Sequence, residues 1–264
     1  MSDVGVSPIL RNLQTRFSGV NPLKLGLYNA MTKYFGWHIE PDFDLLPRLG
    51  AFDLAIDIGA NWGQSILALK ARGRPRRIMS FEPNPILAAR LKAAYAHDPR
   101  VTIEACGLGD QDDQLNLFVP RYRNFVYDGL ASLDEHEARD WLPGRMAWFD
   151  PDKLFIDEYQ VPVRTLDSYG LEPDVVKIDV QGFEMKVVQG GLGTLRRRRP
   201  VTIVEWPSAE LTALFKTLDM DGYRWTGKHL VPGDHAGPIK GYNTVFLHPD
   251  RLAQMDLTGV VRTH

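Results

Sequence analysis

Asp57, Glu82, Asp179 and Glu205 are the residues of this sequence best placed to do chemistry, because each stands at the end of a short apolar run: FDLAID, RRIMSFE, VVKID and VTIVE. Runs of that length suit single buried strands and are too short for lone helices. In an open parallel sheet a ligand sits beyond the carboxyl ends of the strands. Acids gathered there can attract a cation or take a proton from a hydroxyl. A random solvated face would not place four of them at successive strand ends. Asn61, Asn84, Cys106 and Gly107 fall at the same ends.

The most informative stretch is 52–63, FDLAIDIGANWG, followed by a helical QSILALK. Strand, glycine turn and helix make half of a nucleotide-binding unit. Gly59 and Gly63 let the backbone approach a ligand, and the first helical turn offers unpaired N–H groups. A tight turn without a ligand is the competing reading of this stretch alone. Dehydrogenase fingerprints want G-x-G-x-x-G, but Asn61 replaces the middle glycine and Asp57 stands two residues before Gly59. Asp57 would repel a pyrophosphate and attract the ammonium and sulfonium of S-adenosylmethionine, which favours that cofactor over NAD. Glu82, 25 positions after Asp57, is placed to accept both hydroxyls of an adenosine ribose. A charge favoured by the dipole of the following helix is the alternative. Ala60, Ser65, Pro83 and Asn84, in the same two turns, complete the cofactor-binding candidates.

The elements that must position these residues alternate. RRIMSFEPNP (76–85) reads as a second strand, ILAARLKAAYA as a second helix and VTIEACGLGD (101–110) as a third strand. VVKIDV (175–180), the helical FEMKVVQGGLGTL and VTIVEW (201–206) resume the pattern, and SAELTALFKTLDM is a helix capped by Ser208. Alternation of this kind argues for a parallel sheet with helices on both faces. It breaks once: QLNLFVP (114–120) and VPVRTL (161–166) read as an antiparallel pair. The roughly 40 residues between them, rich in Tyr, Trp, Phe and charge, form a lid-like insert at about 120–160. YRWTGKH and YNTVFLHP are closing strands, joined by the turn-rich VPGDHAGPIKG. The reading is one domain over 47–264, preceded by an N-terminal helical extension over 1–46, in which 22–37 carries apolar residues at helical spacing. That helix is compatible with packing on a partner subunit, hence with a homodimer.

Bulk properties exclude several classes. A net charge of −2 gives no reason to expect nucleic acid, and the single cysteine, Cys106, rules out an internal disulfide framework. No stretch approaches the 18 or so apolar residues that span a bilayer, and the first residues lack the apolar core of a signal peptide. A cytoplasmic protein is the expectation.

DIGANWGQS, FEPNP, the run TLDSY…DVVKIDVQGFEMKVVQGG and VEW, in that order over roughly residues 52–206, resemble the FkbM-type family of S-adenosylmethionine-dependent methyltransferases. The motifs are specific as an ordered set. The resemblance implies a Rossmann-like class I methyltransferase fold, with a mostly parallel seven-stranded sheet and helices on both faces. It also implies O-methylation, typically of sugar hydroxyls in polysaccharides, glycolipids or secondary metabolites, with S-adenosylhomocysteine as product. Carried over by position, Asp57, Gly59, Asn61 and Gly63 hold the methionine end of the cofactor and Glu82 the ribose. Gly107 or Cys106 flanks the adenine, Asp179 lies beside the methyl donor, and Ser132 matches a serine near the pocket. Position 181, often Glu in the family, is Gln here.

A sugar hydroxyl is a poor nucleophile while protonated, so a base or a metal is required. Asp179 is the first candidate for the base and Glu205 the second; binding of cofactor alone is the competing role for Asp179. Glu184 could orient the acceptor or cap a loop, and His136 is an alternative base if the lid folds over the site. No metal-ligand spacing is visible, so no metal site is assigned, although a divalent ion held by Asp179 and Glu205 is conceivable. Trp62, Trp206 and the insert aromatics could stack on a sugar. The run Arg196–Arg199 suits a solvated helix end, remote from the strand-end acids. The expected function is thus methyl transfer to a saccharide, glycolipid or glycosylated small molecule. An amine or non-sugar acceptor, a non-catalytic cofactor-binding module and an NAD-dependent oxidoreductase are the rivals.

Overall fold

β1 (Leu54–Ile58) is buried at every position, which is why its sequence shows no polar alternation. The computed structural model describes residues 40–233 and 243–255; the helix expected at 22–37 lies outside the described residues. From β1 the chain runs through α1 (Gln64–Ala68), β2 (Arg77–Phe81), α2 (Pro85–Tyr95) and β3 (Val101–Glu104). It then leaves the sheet for β4 (Gly107–Leu108), β5 (Asp113–Tyr122), β6 (Phe125–Val126), α3 (Glu135–Asp140) and β7 (Leu154–Arg164). It returns as β8 (Val175–Ile178), α4 (Glu184–Gln189), α5 (Leu192–Arg198), β9 (Val201–Glu205) and α6 (Ala209–Lys216). β10 (Asp221–Trp225), β11 (Leu230–Pro232), β12 (Asn243–Leu247) and α7 (Pro249–Gln254) complete the described chain.

The main sheet has the order β11-β10-β12-β9-β8-β1-β2-β3. β3, β2, β1, β8 and β9 are parallel, and β12 runs antiparallel between β9 and β10. Successive strands leave β1 in opposite directions, to β2 on one side and β8 on the other, so the topological switch point falls beside β1. The Rossmann-like arrangement expected from the sequence is present. Its strand count is eight rather than seven, because the start of the turn-rich stretch after Trp225 pairs with β10 instead of looping, with Leu230 buried opposite Trp225.

One face of the sheet presents Ala55, Ile78, Val175 and Ile203 to a first core cluster, and the other presents Leu54, Ile56, Val176 and Val204 to a second. Each buried Val, Leu or Ile among them contributes on the order of 1.5–3 kcal/mol. The stretch before β1, expected as a proline-punctuated approach, is a 3₁₀ helix over Pro41–Leu49 that buries Phe43, Leu45 and Leu46 completely.

Two local expectations are corrected. The single helix read over FEMKVVQGGLGTL is two, α4 and α5, broken at Gly190 and Gly191. A β-carbon on Gly190 would lie 1.9 Å from the Gly109 carbonyl oxygen, so the chain must cross that loop without a side chain. The third strand read over 101–110 is also two, since Gly107–Leu108 pairs with β7 in the second sheet. That four-stranded sheet, β4-β7-β5-β6, is built on the antiparallel pairing expected from the alternation, with Leu115 opposite Val161. The arginine run is tied down: Arg198 pairs with Glu172 and Asp174, and Arg199 with Asp250 of α7.

Candidate active site

The strand ends open onto a cleft of about 380 Å3 whose floor includes Gly59, Asn61, Glu82, Pro83 and Asp179. That volume suits a small organic ligand. The turn after β1 is set by backbone geometry. Gly59 has φ +88° and donates its N–H to the Phe81 carbonyl, while Asp179 donates its own to the Ile58 carbonyl. A β-carbon on Gly59 would meet the Asp179 carbonyl oxygen at 1.9 Å, so β1 and β8 can close here only around glycine. Asn61 also takes a left-handed φ, +48°, and its side-chain oxygen is buried without a hydrogen-bond partner among the described residues. Gly63, left-handed too, starts α1. Ala60 and Ser65 are buried beside it.

Glu82 is buried with each oxygen occupied by one backbone donor, Asn61 N–H at 2.7 Å and Asn84 N–H at 2.8 Å. Burial pushes it up to about 7 despite those two hydrogen bonds. Each oxygen keeps lone-pair capacity for a further donor. Asp57 is completely buried one layer below, accepting from Ser80 Oγ at 3.1 Å, and burial lifts it to about 6. It supports the floor from beneath and is absent from the cleft wall. Cys106 and Gly107 line the cleft, the thiol 3.3 Å from the Tyr169 hydroxyl.

Asp179 and Glu205 stand side by side where β8 and β9 end. Gln181, left-handed at φ +52°, donates to both, at 2.8 Å to Asp179 Oδ1 and 3.0 Å to Glu205 Oε2. The two carboxyls divide: burial works to protonate Asp179, but Lys177 and the bonds from Glu205 and Gln181 hold it low. Burial, then the bond to and the charge of Asp179, holds Glu205 high. Such a pair titrates as a unit, with Glu205 the member that holds a proton in preference.

The roof comes from the second sheet and the insert. Leu117, Val161 and Val163 face the cleft, with Ala131, Ser132, Leu133 and Glu137 at its rim. Ser132 Oγ donates to Glu137 at 2.9 Å. The insert is fastened to the floor at Asp128, whose carbonyl accepts from Asn84 Nδ2 at 3.0 Å and whose buried carboxylate pairs with Arg90. The Arg90 guanidinium also lies 4.7 Å from the ring centroid of Trp62.

Some expected participants stand elsewhere. His136 is exposed on the first turn of α3 and lines no part of the cleft; its neighbour Glu137 does. Glu184 accepts from Gly182 N–H at 3.0 Å, a loop cap at the start of α4 outside the cleft wall. Trp62 is taken up by Arg90, and Trp206 is exposed beside Glu205 with φ +45°. No group of three or more metal-ligating side chains occurs among the described residues, and no helix among them is long and apolar enough to cross a membrane. Sequence reasoning missed Lys177, the Arg90–Asp128 fastening and the part of the roof that β5 and β7 supply. A lone lysine inside the apolar VVKIDV was the one available signal for the first.

Residues 57–224 match the family described as "Methyltransferase FkbM domain". Over 159 residues the chain is 27% identical to the AMB antimetabolite synthetase AmbE of Pseudomonas aeruginosa, covering 52% of this chain and 8% of that protein. Also over 159 residues, it is 28% identical to the 2-O-methyltransferase NoeI of Sinorhizobium fredii, covering 54% of this chain and 59% of NoeI. The matches thus span less than two thirds of each relative's length. Among solved structures, the FkbM methyltransferase of Methylobacillus flagellatus KT superposes with a TM-score of 0.46 at 17% identity, over 74% of this chain and 44% of that one.

Proposed function

We propose, for a chain that belongs to the FkbM methyltransferase family, transfer of a methyl group from S-adenosylmethionine to a hydroxyl of a saccharide, glycolipid or glycosylated metabolite. The observation that carries this reading is the Gln181-bridged pair of Asp179 and Glu205, with Asp179 on the wall of a cleft lined by Gly59, Asn61 and Glu82. The 2-O-methyltransferase activity in NoeI's name supports oxygen as the acceptor atom.

The residues present fit the cofactor. The Gly59 turn holds the end of β1 against the Asp179 carbonyl on the cleft floor, the unpartnered Asn61 oxygen is an acceptor suited to the ammonium, and Glu82 has capacity left for ribose hydroxyls. Cys106, Gly107 and Leu108 offer an apolar slot for the adenine. When bound, S-adenosylmethionine supplies an already electrophilic sulfonium methyl. The protein's tasks are then to align the acceptor oxygen and to take its proton. Asp179 is the ionised member of the pair and receives that proton as the new oxygen–carbon bond forms and the carbon–sulfur bond breaks. The products are a methyl ether, neutral S-adenosylhomocysteine and a protonated carboxyl. Gln181 holds Asp179 in position through one amide donor, where a glutamate could donate nothing while ionised.

Calorimetric titration with S-adenosylhomocysteine tests the cofactor, and a radiolabelled methyl-transfer screen over free sugars, nucleotide sugars and glycolipids tests the acceptor. Tight binding of S-adenosylhomocysteine with no transfer to any of these would favour a different acceptor class or a non-catalytic module.

A further inference from the structure

Lys177 sits in the middle of β8, between Asp57 of β1 and Ile203 of β9 in the sheet register, and is 1% exposed. An aliphatic side chain would fill a buried mid-strand position without the cost of desolvating an ammonium. Its Nζ lies 3.4 Å from Glu40 Oε2 and 3.5 Å from Asp179 Oδ2. Glu40 is itself held by Asn243 Nδ2 at 2.9 Å, so the segment ahead of β1 and the antiparallel strand β12 both brace the ammonium from behind. The charged groups facing Lys177 are Glu40 and Asp42 from the leading segment, Asp57 from β1, Asp179 from its own strand and Glu205 from β9. Burial works to discharge the lysine, and these carboxylates outweigh it.

We propose that Lys177 is a positioning residue for the transfer: its buried ammonium, clamped between Glu40 and Asp179, keeps Asp179 ionised and leaves Glu205 to carry the proton the pair shares. The inference rests on the reading of the pair as the transfer base and adds the reason its two members are unequal. Both are carboxyls at adjacent strand ends, both are partly enclosed, and both accept from the same amide. The asymmetry comes from below, where the ammonium lies 3.5 Å from Asp179 and is the largest influence holding that carboxyl low, but ranks last among the influences on Glu205. Without it, two like charges side by side would place their shared proton on either oxygen.

The test needs neither cofactor nor acceptor. Full-length protein carrying Glu205→Ala and 13C-carboxyl-labelled aspartate is titrated by NMR, so that Asp179 reports by itself rather than as half of a coupled pair. Asp179 is expected to titrate still well below the ordinary aspartate range, near 3.9. Adding Lys177→Met is expected to move its midpoint upward by about one pH unit or more. An Asp179 midpoint at or above the ordinary range while Lys177 is in place would overturn the proposal, and this arm stands even if the Lys177→Met chain does not fold. A midpoint that ignores Lys177→Met would overturn it equally. A low Asp179 midpoint in a protein that methylates nothing would count against the transfer reading while supporting the hold of Lys177 on Asp179.

Discussion

Gly59 and Asp179 touch through the backbone: there is no room for even a methyl group between the turn that ends β1 and the carbonyl that ends β8. The carboxyl ends of the two central strands are therefore locked together at the point where cofactor and acceptor would meet.

The first prediction isolates that contact. Gly59→Ala is expected to cost roughly 3 kcal/mol or more in chemical denaturation, with loss of S-adenosylhomocysteine binding. Gly227 has nearly the same φ, +86°, with no atom near its missing β-carbon, so Gly227→Ala should show the left-handed strain alone, about 1–2 kcal/mol. Equal costs at the two positions would refute the close-approach argument.

The second concerns pH. Burial raises Asp57 to about 6 and Glu82 and Asp42 to about 7, above the ordinary carboxylate values. Between about pH 4 and 7 the folded chain thus holds more protons than the unfolded chain, and stability falls as pH rises through that window. Thermal unfolding of the ligand-free chain should show a higher midpoint at pH 5 than at pH 8. A cationic ligand favours the ionised acids, so binding of S-adenosylmethionine, with its positive sulfonium, near pH 6.5 should release protons. Calorimetry in two buffers of different ionisation enthalpy measures this, and identical heats in both would contradict it.

Asp179→Asn is expected to lower methyl transfer by 10²–10⁴-fold, the usual range for loss of a positioned base. Affinity for S-adenosylhomocysteine should change little. Glu205→Gln should have the milder effect, since Gln181 can still brace Asp179. His136→Ala should leave turnover unchanged, because its ring lies outside the cleft wall.

Arg90→Ala leaves the buried Asp128 carboxylate without its cation. The expected cost is roughly 1–2 kcal/mol, Arg90 being half exposed. The sharper readout is limited proteolysis, in which the segment between β5 and β7 should be cut earlier than in the parent. A digestion pattern identical to the parent's would show that Asn84 alone fastens the roof.

The parallel strands were legible because LAIDI and VTIVE are too short and too apolar for anything but buried strands, and the hairpin because β5 alternates. Less legible features depended on partners distant in sequence. Little local in PDFDLLPRL announces a helix, since Pro47 interrupts it and only the sheet behind it rewards burying Phe43 and Leu46. Gly107–Leu108 reads as the tail of β3 until β7, more than fifty residues on, offers it a pairing edge. The site followed the same rule. Glu82 and Asp179 could be placed by counting to strand ends, whereas Asp57 falls inside β1 beneath the cleft and the Arg90–Asp128 fastening joins residues 38 apart that no motif links.

The floor and the roof of the cleft belong to different sheets, fastened at one side by Asn84 and Arg90 to Asp128. Substitutions along the inner faces of β5 and β7 can therefore alter what is admitted above the methyl donor without disturbing the ladder that fixes Gly59 against Asp179. On the reading proposed above, such a division separates acceptor preference from the donor half of the cleft. It also makes the hairpin the natural place to graft when a new specificity is sought.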